Sequence, residues 1–272
     1  FISKYFQPLL IKHKWGSNLY YFLSGKYRIH PSYIQEILNK PNNNHDSIIN
    51  MIKYFKTIKS TKYNPETLYA AIKFYKKQPK GKLLYNFKKR EKNILILGPG
   101  NSIKLNLAKI NNFIHNNKCL VLALNTSNSI DEKLIDMRVI SHPLSFFTDL
   151  NKFKNINSPL LTPYSMLPNK FKNKLNNIKI YDYGIKIEDS KFSSKSNYCV
   201  VPNALAISYC LAFINLINHK KIFLAGFDGY NKKNLKYDEA NSFFNFYNSI
   251  NPNKIFAITP TKFDIKMAKK SI

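Results

Sequence analysis

With 272 residues and 44% hydrophobic content, the chain can bury one large or two modest cores, which excludes a wholly disordered protein. A formal net charge of +28 ordinarily points to nucleic acid or an anionic membrane, but Lys, Asn, Ile, Phe and Tyr are all abundant while Gly, Ala and Arg are scarce, the bias of an AT-rich coding sequence. With little arginine for bidentate phosphate and base-edge contacts, nucleic-acid binding is the disfavoured reading; an anionic ligand or lipid surface is compatible with the charge.

Residues 1–90 read as a helical segment. An apolar cluster from Asn18 to Ser24 ends at Gly25, and Pro31 sits at the first turn of a short helix through Leu38. Asp46 to Ile58 gives a further helix with Ile48, Ile49, Ile52 and Phe55 on one face, and Asn64 opens another whose Leu68, Ile72 and Tyr75 fall on the inner side. Pro79-Lys80-Gly81-Lys82, followed by Lys88-Lys89-Arg90, marks the domain boundary, so residues 93–272 form the second domain.

That second domain opens on a strand, tight turn and helix. Ile94 to Leu97 is a continuous apolar run, and Gly98-Pro99-Gly100-Asn101-Ser102 turns the chain into a helix expected over Ser102–Ile114, with Leu105, Leu107, Ile110 and Ile114 inward. The two glycines allow close approach of backbone to a ligand, and Asn101 or Ser102 can cap a helix whose free N–H groups favour an anionic or polar group. The turn is neither the full dinucleotide fingerprint nor a P-loop, and an ordinary strand-to-helix connection is the competing reading. Further strands are expected at Cys119–Leu124, Met137–Ser141, Ile178–Tyr181, Lys221–Ala225 and Phe256–Thr259, with an apolar helix over Asn203–Ile217 and a terminal helix over Asp264–Lys270. Asp264 most simply caps that last helix. Strands alternating with helices predict an α/β fold, a Rossmann-like doubly wound and mostly parallel sheet.

Ligands in such sheets sit at the carboxyl ends of the strands. The polar residues just after each strand are therefore expected to converge: Gly98 to Ser102, Asn125 to Ser127, Ser141-His142, and Gly226 to Tyr230. Asp228 could bind a ribose hydroxyl or act as a base, or be a turn former before Gly229. Cys119 and Cys210 read as core residues and Cys199 is undecided. Three cysteines form neither a disulfide framework nor a metal pattern, and no Asp-x-Asp cluster is present, so no metal or other cofactor is expected. No stretch reaches the length of a bilayer span and no signal peptide is evident; a reducing cytoplasm, with contact to the inner membrane at most peripheral, is the expected setting. The chain opens on Phe rather than Met, which fits a fragment or processed piece of a longer protein.

Two resemblances add to this reading. Residues 18–38, N-L-Y-Y-F-L-S-G-K-Y-R-I-H-P-S-Y-I-Q-E-I-L, resemble the segment after the catalytic barrel in aldolase-like proteins of the HMG-CoA-lyase-like superfamily found among bacterial surface-polysaccharide genes. That family's metal and pyruvate ligands lie on a barrel these residues do not include, so no aldolase activity carries over. The words I-L-I-L-G-P-G-N-S-I-K, A-L-N-T-S-N, I-S-H-P-L-S-F-F, I-F-L-A-G-F-D-G-Y and F-D-I-K resemble, in order, motifs of the bacterial sialyltransferases of glycosyltransferase family 42.

The second resemblance implies a Rossmann-like domain that transfers a sugar from a CMP-activated donor to a glycan or glycolipid acceptor without metal. It implies donor contacts for Asn101, Asn125, His142 and Asn203, and hydrogen bonds from Tyr230 and Tyr237 to the leaving phosphate. The family's general-base His is replaced here by Thr259, which cannot accept a proton at neutral pH as imidazole can. His142 is the replacement candidate, against the plainer reading of a hydrogen-bonded structural histidine. The expectation is thus a glycosyltransferase-like enzyme of surface-polysaccharide (lipopolysaccharide) assembly, with a catalytically inactive nucleotide-sugar-binding or scaffolding module as the alternative. Gly98, Gly100, Ser102 and Asp228 complete the expected donor site.

Overall fold

In the computed structural model the chain divides into two units, Phe1–Lys77 and Gln78–Ile272. The structure describes residues 74, 77–82, 92–126, 129–142, 152–153, 156–188, 190–232, 235–252 and 254–269. The expected helices between residues 18 and 73, the aldolase-like words and the run Lys88-Lys89-Arg90 lie outside them.

The second unit is α/β. Its main sheet has seven strands in the order β10-β9-β1-β2-β3-β4-β5, every neighbouring pair parallel. The strands are β1 (Lys92–Leu97), β2 (Leu120–Leu124), β3 (Met137–Val139), β4 (Leu160–Thr162), β5 (Ile180–Asp182), β9 (His219–Ala225) and β10 (Ile255–Ala257). A second, three-stranded sheet in the order β6-β8-β7 is made of β6 (Gly184–Ile187), β7 (Ser193–Ser194) and β8 (Tyr198–Val201). Helices α1 (Ser102–Leu105), α2 (Leu107–Asn117), α3 (Asn169–Lys172), α4 (Ala206–Ile214) and α5 (Leu235–Ile250) connect them. The Rossmann-like, doubly wound architecture read from the sequence is the one observed.

Burial on both faces explains why β1 reads as an unbroken apolar run: Ile94, Leu95, Ile96 and Leu97 are all fully buried. Leu95 and Leu97 pack on one face with Val121, Ala123, Phe223 and Ala225 of the flanking strands and with Ile110, Phe113 and Ile114 of α2. Phe113 and Phe223 meet edge-to-face there, 4.8 Å between ring centroids. All three cysteines are buried, Cys199 in β8 included. Burial raises the Cys119 thiol to about 11, with the charge of Asp136 adding to it, so this sulfur is inert at neutral pH.

Several expectations are corrected. The helix over Ser102–Ile114 is broken at Asn106, whose side-chain amide and backbone N–H both bond the Ser102 carbonyl, 2.9 and 3.0 Å away. The break turns Leu105 out to 78% exposure, whereas Ile110 and Ile114 face the core as expected. The strand expected at Ile178–Tyr181 begins at Ile180 and is the outer edge strand, because β4 intervenes between it and β3. No terminal helix forms over 264–269. That segment instead lies along β10, Ala257 donating to Lys266 and Ala268 donating to Ala257 (2.9 and 2.8 Å).

Asp264 therefore caps no helix. Its carboxylate accepts from the Asn241 amide on α5 at 2.6 Å, and its backbone N–H donates to the Asn241 carbonyl oxygen at 2.8 Å. The apolar helix expected over Asn203–Ile217 is the shorter α4. The expected boundary segment 79–82 is packed on the second sheet's first strand: a Cβ on Gly81 would meet the carbonyl oxygens of Asn197 and Asp182 at 2.4 Å, and one on Gly184 would meet the Lys80 backbone at 2.7 Å.

Candidate functional site

Strands β1 to β5 follow one another outward on one side, while β9 and β10 lie on the other. The order reverses between β1 and β9, so the loops leaving those two strands diverge and open the crevice where such sheets bind ligands. The turns at that point are Gly98–Ser102 and Gly226–Tyr230.

Backbone pairing carries the two turns past the ends of their strands. Gly98 N–H donates to the Ala225 carbonyl and Gly100 N–H to that of Gly226, both at 2.8 Å. Neither glycine tolerates a side chain: a Cβ on Gly98 would stand 2.5 Å from the Gly226 oxygen, and one on Gly100 would stand 2.4 Å from Asp228 Oδ1. Gly226 is left-handed at φ +75° and packs on Ile103.

Asp228 then fastens the turns together. Its Oδ2 accepts the Ser102 N–H at 3.0 Å and its Oδ1 accepts the Ser102 hydroxyl. A hydroxyl has one proton, so the 3.1 Å contact between Ser102 Oγ and Thr259 Oγ1 is a donation from Thr259, whose oxygen in turn accepts the Gly226 N–H at 3.0 Å. The relay runs Gly226 N–H, Thr259, Ser102, Asp228, and every member is satisfied. Asp228 thus supplies the cap at the start of α1 that was expected of Asn101 or Ser102; Asn101 is exposed and makes no side-chain cap bond. The Ser102 N–H is met by a carboxylate of the chain itself.

On the other side of the reversal, Asn125 ends β2 in a left-handed conformation, φ +60°. Its N–H donates to the Val139 carbonyl at 3.0 Å and its carbonyl accepts from Arg138 Nη1 at 2.9 Å. Arg138, the only arginine among the described residues, is buried and paired with Glu132, which also accepts the Ser158 hydroxyl at 2.6 Å. Burial opposes ionisation of Glu132, but the guanidinium and the Ser158 donors outweigh it and hold the carboxyl below its ordinary 4.5. His142, 6% exposed, stands beyond β3, two strands from β1 and so about 10 Å along the same edge.

Tyr230 and Tyr237 are brought together through a third ring. Tyr237, on α5, stacks on Phe263 (5.8 Å, 21°), and Tyr230 meets the same ring edge-on at 6.4 Å. Tyr237 is buried and Tyr230 is 41% exposed, its hydroxyl raised above its ordinary value by burial and then by the charge of Glu239. The cluster adjoins the turns, because Lys262 N–H donates to the Asp228 carbonyl at 3.0 Å. Asn203 lies at the start of α4, where its Oδ1 accepts the Leu205 N–H (3.3 Å) and the Ser208 hydroxyl (2.5 Å). No described contact links it to Asp228 or the turns.

No protein-family model matches the chain, and no curated protein sequence does. The fold is similar to the solved structure of MAf glycosyltransferase from Magnetospirillum magneticum AMB-1, with a TM-score of 0.47 and 9% identity over 74% of this chain. The match spans 37% of that chain's length.

Sequence reasoning missed the contribution of α5, although Tyr237, Ala240, Phe244 and Tyr247 stand at helical spacing and are buried on one face. It also missed Arg138 with Glu132, for which the sequence offers only an Arg inside an apolar strand. Among the described residues no group of three His, Cys, Asp or Glu side chains could hold a metal ion, and no helix is long and apolar enough to cross a membrane.

Proposed function

We propose that this chain is a glycosyltransferase that transfers a sugar from a CMP-activated donor to a glycan or glycolipid acceptor in bacterial surface-polysaccharide assembly. The observation that carries the reading is the meeting of the two glycine turns, Gly98–Ser102 and Gly226–Tyr230, at the reversal of strand order, with the aromatic cluster of Tyr230, Tyr237 and Phe263 beside them. The family 42 resemblance of the strand-end words supplies the donor class.

Because Asp228 occupies the start of α1, the donor phosphate does not bind there. Tyr230 and Tyr237 hydroxyls donate to it instead as the bond from the anomeric carbon to the phosphate oxygen breaks. The acceptor hydroxyl attacks that carbon and gives its proton to His142, and CMP leaves. Gly98, Gly100, Asn101 and Asn125 shape and line the donor end of the crevice.

A second reading, a module that binds the donor without turning it over, is supported by Thr259. At the position where the resemblance expects the base, Thr259 is 1% exposed and its hydroxyl is engaged on both sides. Thermal denaturation with CMP separates these readings from error: no rise in melting temperature at millimolar CMP counts against both. Donor hydrolysis that vanishes in His142→Ala while the CMP shift survives supports transfer; a CMP shift with no hydrolysis in the wild type supports the binding module.

A further inference from the structure

The opposite edge of the sheet has a different chemistry. In an all-parallel sheet the amino ends of the strands lie together, and four neighbours carry lysine at or within two residues of that end: Lys254 just before β10, Lys220 and Lys221 directly after His219 at the start of β9, Lys92 at the start of β1, and Lys118 two residues before β2. Lys118, Lys220 and Lys221 are exposed and Lys254 is half-buried. Neighbouring strands are about 4.8 Å apart, so the four starts make a row about 15 Å long, with described lysines at the starts of β10, β9 and β2.

Among the described residues, uncharged amides flank the row: Asn116 and Asn117 end α2, Asn215 and Asn218 follow α4, and Asn251 follows α5. Among the described acids, Asp136 stands at the β2 end of the row, where its carboxylate accepts the Val121 N–H at 2.7 Å, and Glu132 is paired with Arg138, whereas Asp228, Glu239 and Asp264 gather at the carboxyl edge. His219, inside the row, reports the field: burial lowers its imidazole below the ordinary 6.5, the Ile217 carbonyl offsets part of this, and the charge of Lys254 adds to the lowering.

Two features separate this surface from a nucleic-acid site. Its described cations are all lysines, point charges without the fork that reads phosphates and bases bidentately. It also carries apolar surface: Ile250, at the end of α5 four residues before Lys254, is 48% exposed, and Lys221 lies over the Phe256 ring, 5.5 Å from its centroid. Lysines beside an exposed aliphatic side chain fit the headgroup layer of a bilayer.

We propose that the amino-terminal edge of β10, β9, β1 and β2 is a docking surface for an anionic lipid bilayer, with Lys118, Lys220, Lys221 and Lys254 meeting lipid phosphates and Ile250 entering the interface. The docked chain turns its carboxyl edge, and the crevice at the strand reversal, away from the membrane. Co-sedimentation of the full chain with vesicles tests this. Binding is expected to phosphatidylcholine vesicles containing phosphatidylglycerol and not to pure phosphatidylcholine, and to fall with added salt.

Each lysine near the surface is worth about fivefold, so K118N/K220Q/K221Q/K254Q is expected to bind a hundredfold or more weaker. Asparagine suits the left-handed backbone at 118, φ +45°. Neutralising Lys104, Lys232 and Lys262 on the other edge removes comparable charge and is expected to leave most of the binding intact. Absence of vesicle binding, equal loss in the two sets of variants, or tighter binding to duplex DNA than to anionic vesicles would each overturn the proposal.

Discussion

Two carboxylates brace this sheet in different ways. Among the described residues Asp228 is met by neutral donors, the Ser102 N–H and hydroxyl, whereas Glu132 is met by the buried guanidinium of Arg138. The first sits where two glycine turns touch and the sheet reverses; the second braces the crossing from β2 to β3. A network of neutral donors distributes its cost over several bonds, and losing the charge leaves donors and acceptors that can re-pair. An ion pair with one partner at 5% exposure cannot: removing the acid strands the cation.

The largest expected effect is therefore at Glu132. Glu132→Ala is expected to cost about 3 kcal/mol in urea denaturation, because Arg138 keeps its burial and loses its counter-charge. Acid sharpens the same point. The folded carboxyl titrates below its ordinary 4.5, so its contribution is fully present above that value and is lost as pH falls through the lower folded value. Stability measured down the pH scale should fall more steeply in the wild type than in Glu132→Gln.

Gly100→Ala follows, at about 2 kcal/mol by melting, since the new methyl meets Asp228 and the Gly226 backbone and must push the turns apart. Thr259→Val is next, about 1.5 kcal/mol, as it leaves the buried Gly226 N–H without an acceptor. Asp228→Asn is expected to be the smallest, about 1 kcal/mol, because an amide oxygen still accepts the Ser102 N–H and the hydroxyls can reverse. If Asp228→Asn costs more than Glu132→Ala, the contrast between the two braces is wrong.

The strands most legible in the sequence were the longer buried runs. Ile94–Leu97 and Ile222–Ala225 are runs with apolar contacts on both faces, and a glycine turn follows each. β4 was invisible because Leu160-Leu161-Thr162 is three residues between Pro159 and Pro163, too short to show a period. The false terminal helix had the opposite cause. Residues 264–270 carry an acid first and basic residues later, a helix pattern, but the Ala257 backbone offers hydrogen bonds that a helix there would leave unmade.

Local sequence determined the long buried strands β1 and β9 and where their glycine turns fall, because burial on two faces and close backbone approach restrict residue types at each position. Only the tertiary structure decided which turns meet. The reversal between β1 and β9 brings Ser102, Asp228 and Thr259 together across separations of 126 and 157 residues. No local preference encodes such a pairing: a serine, an aspartate and a threonine are ordinary turn residues until the order of the strands places their oxygens within hydrogen-bond distance.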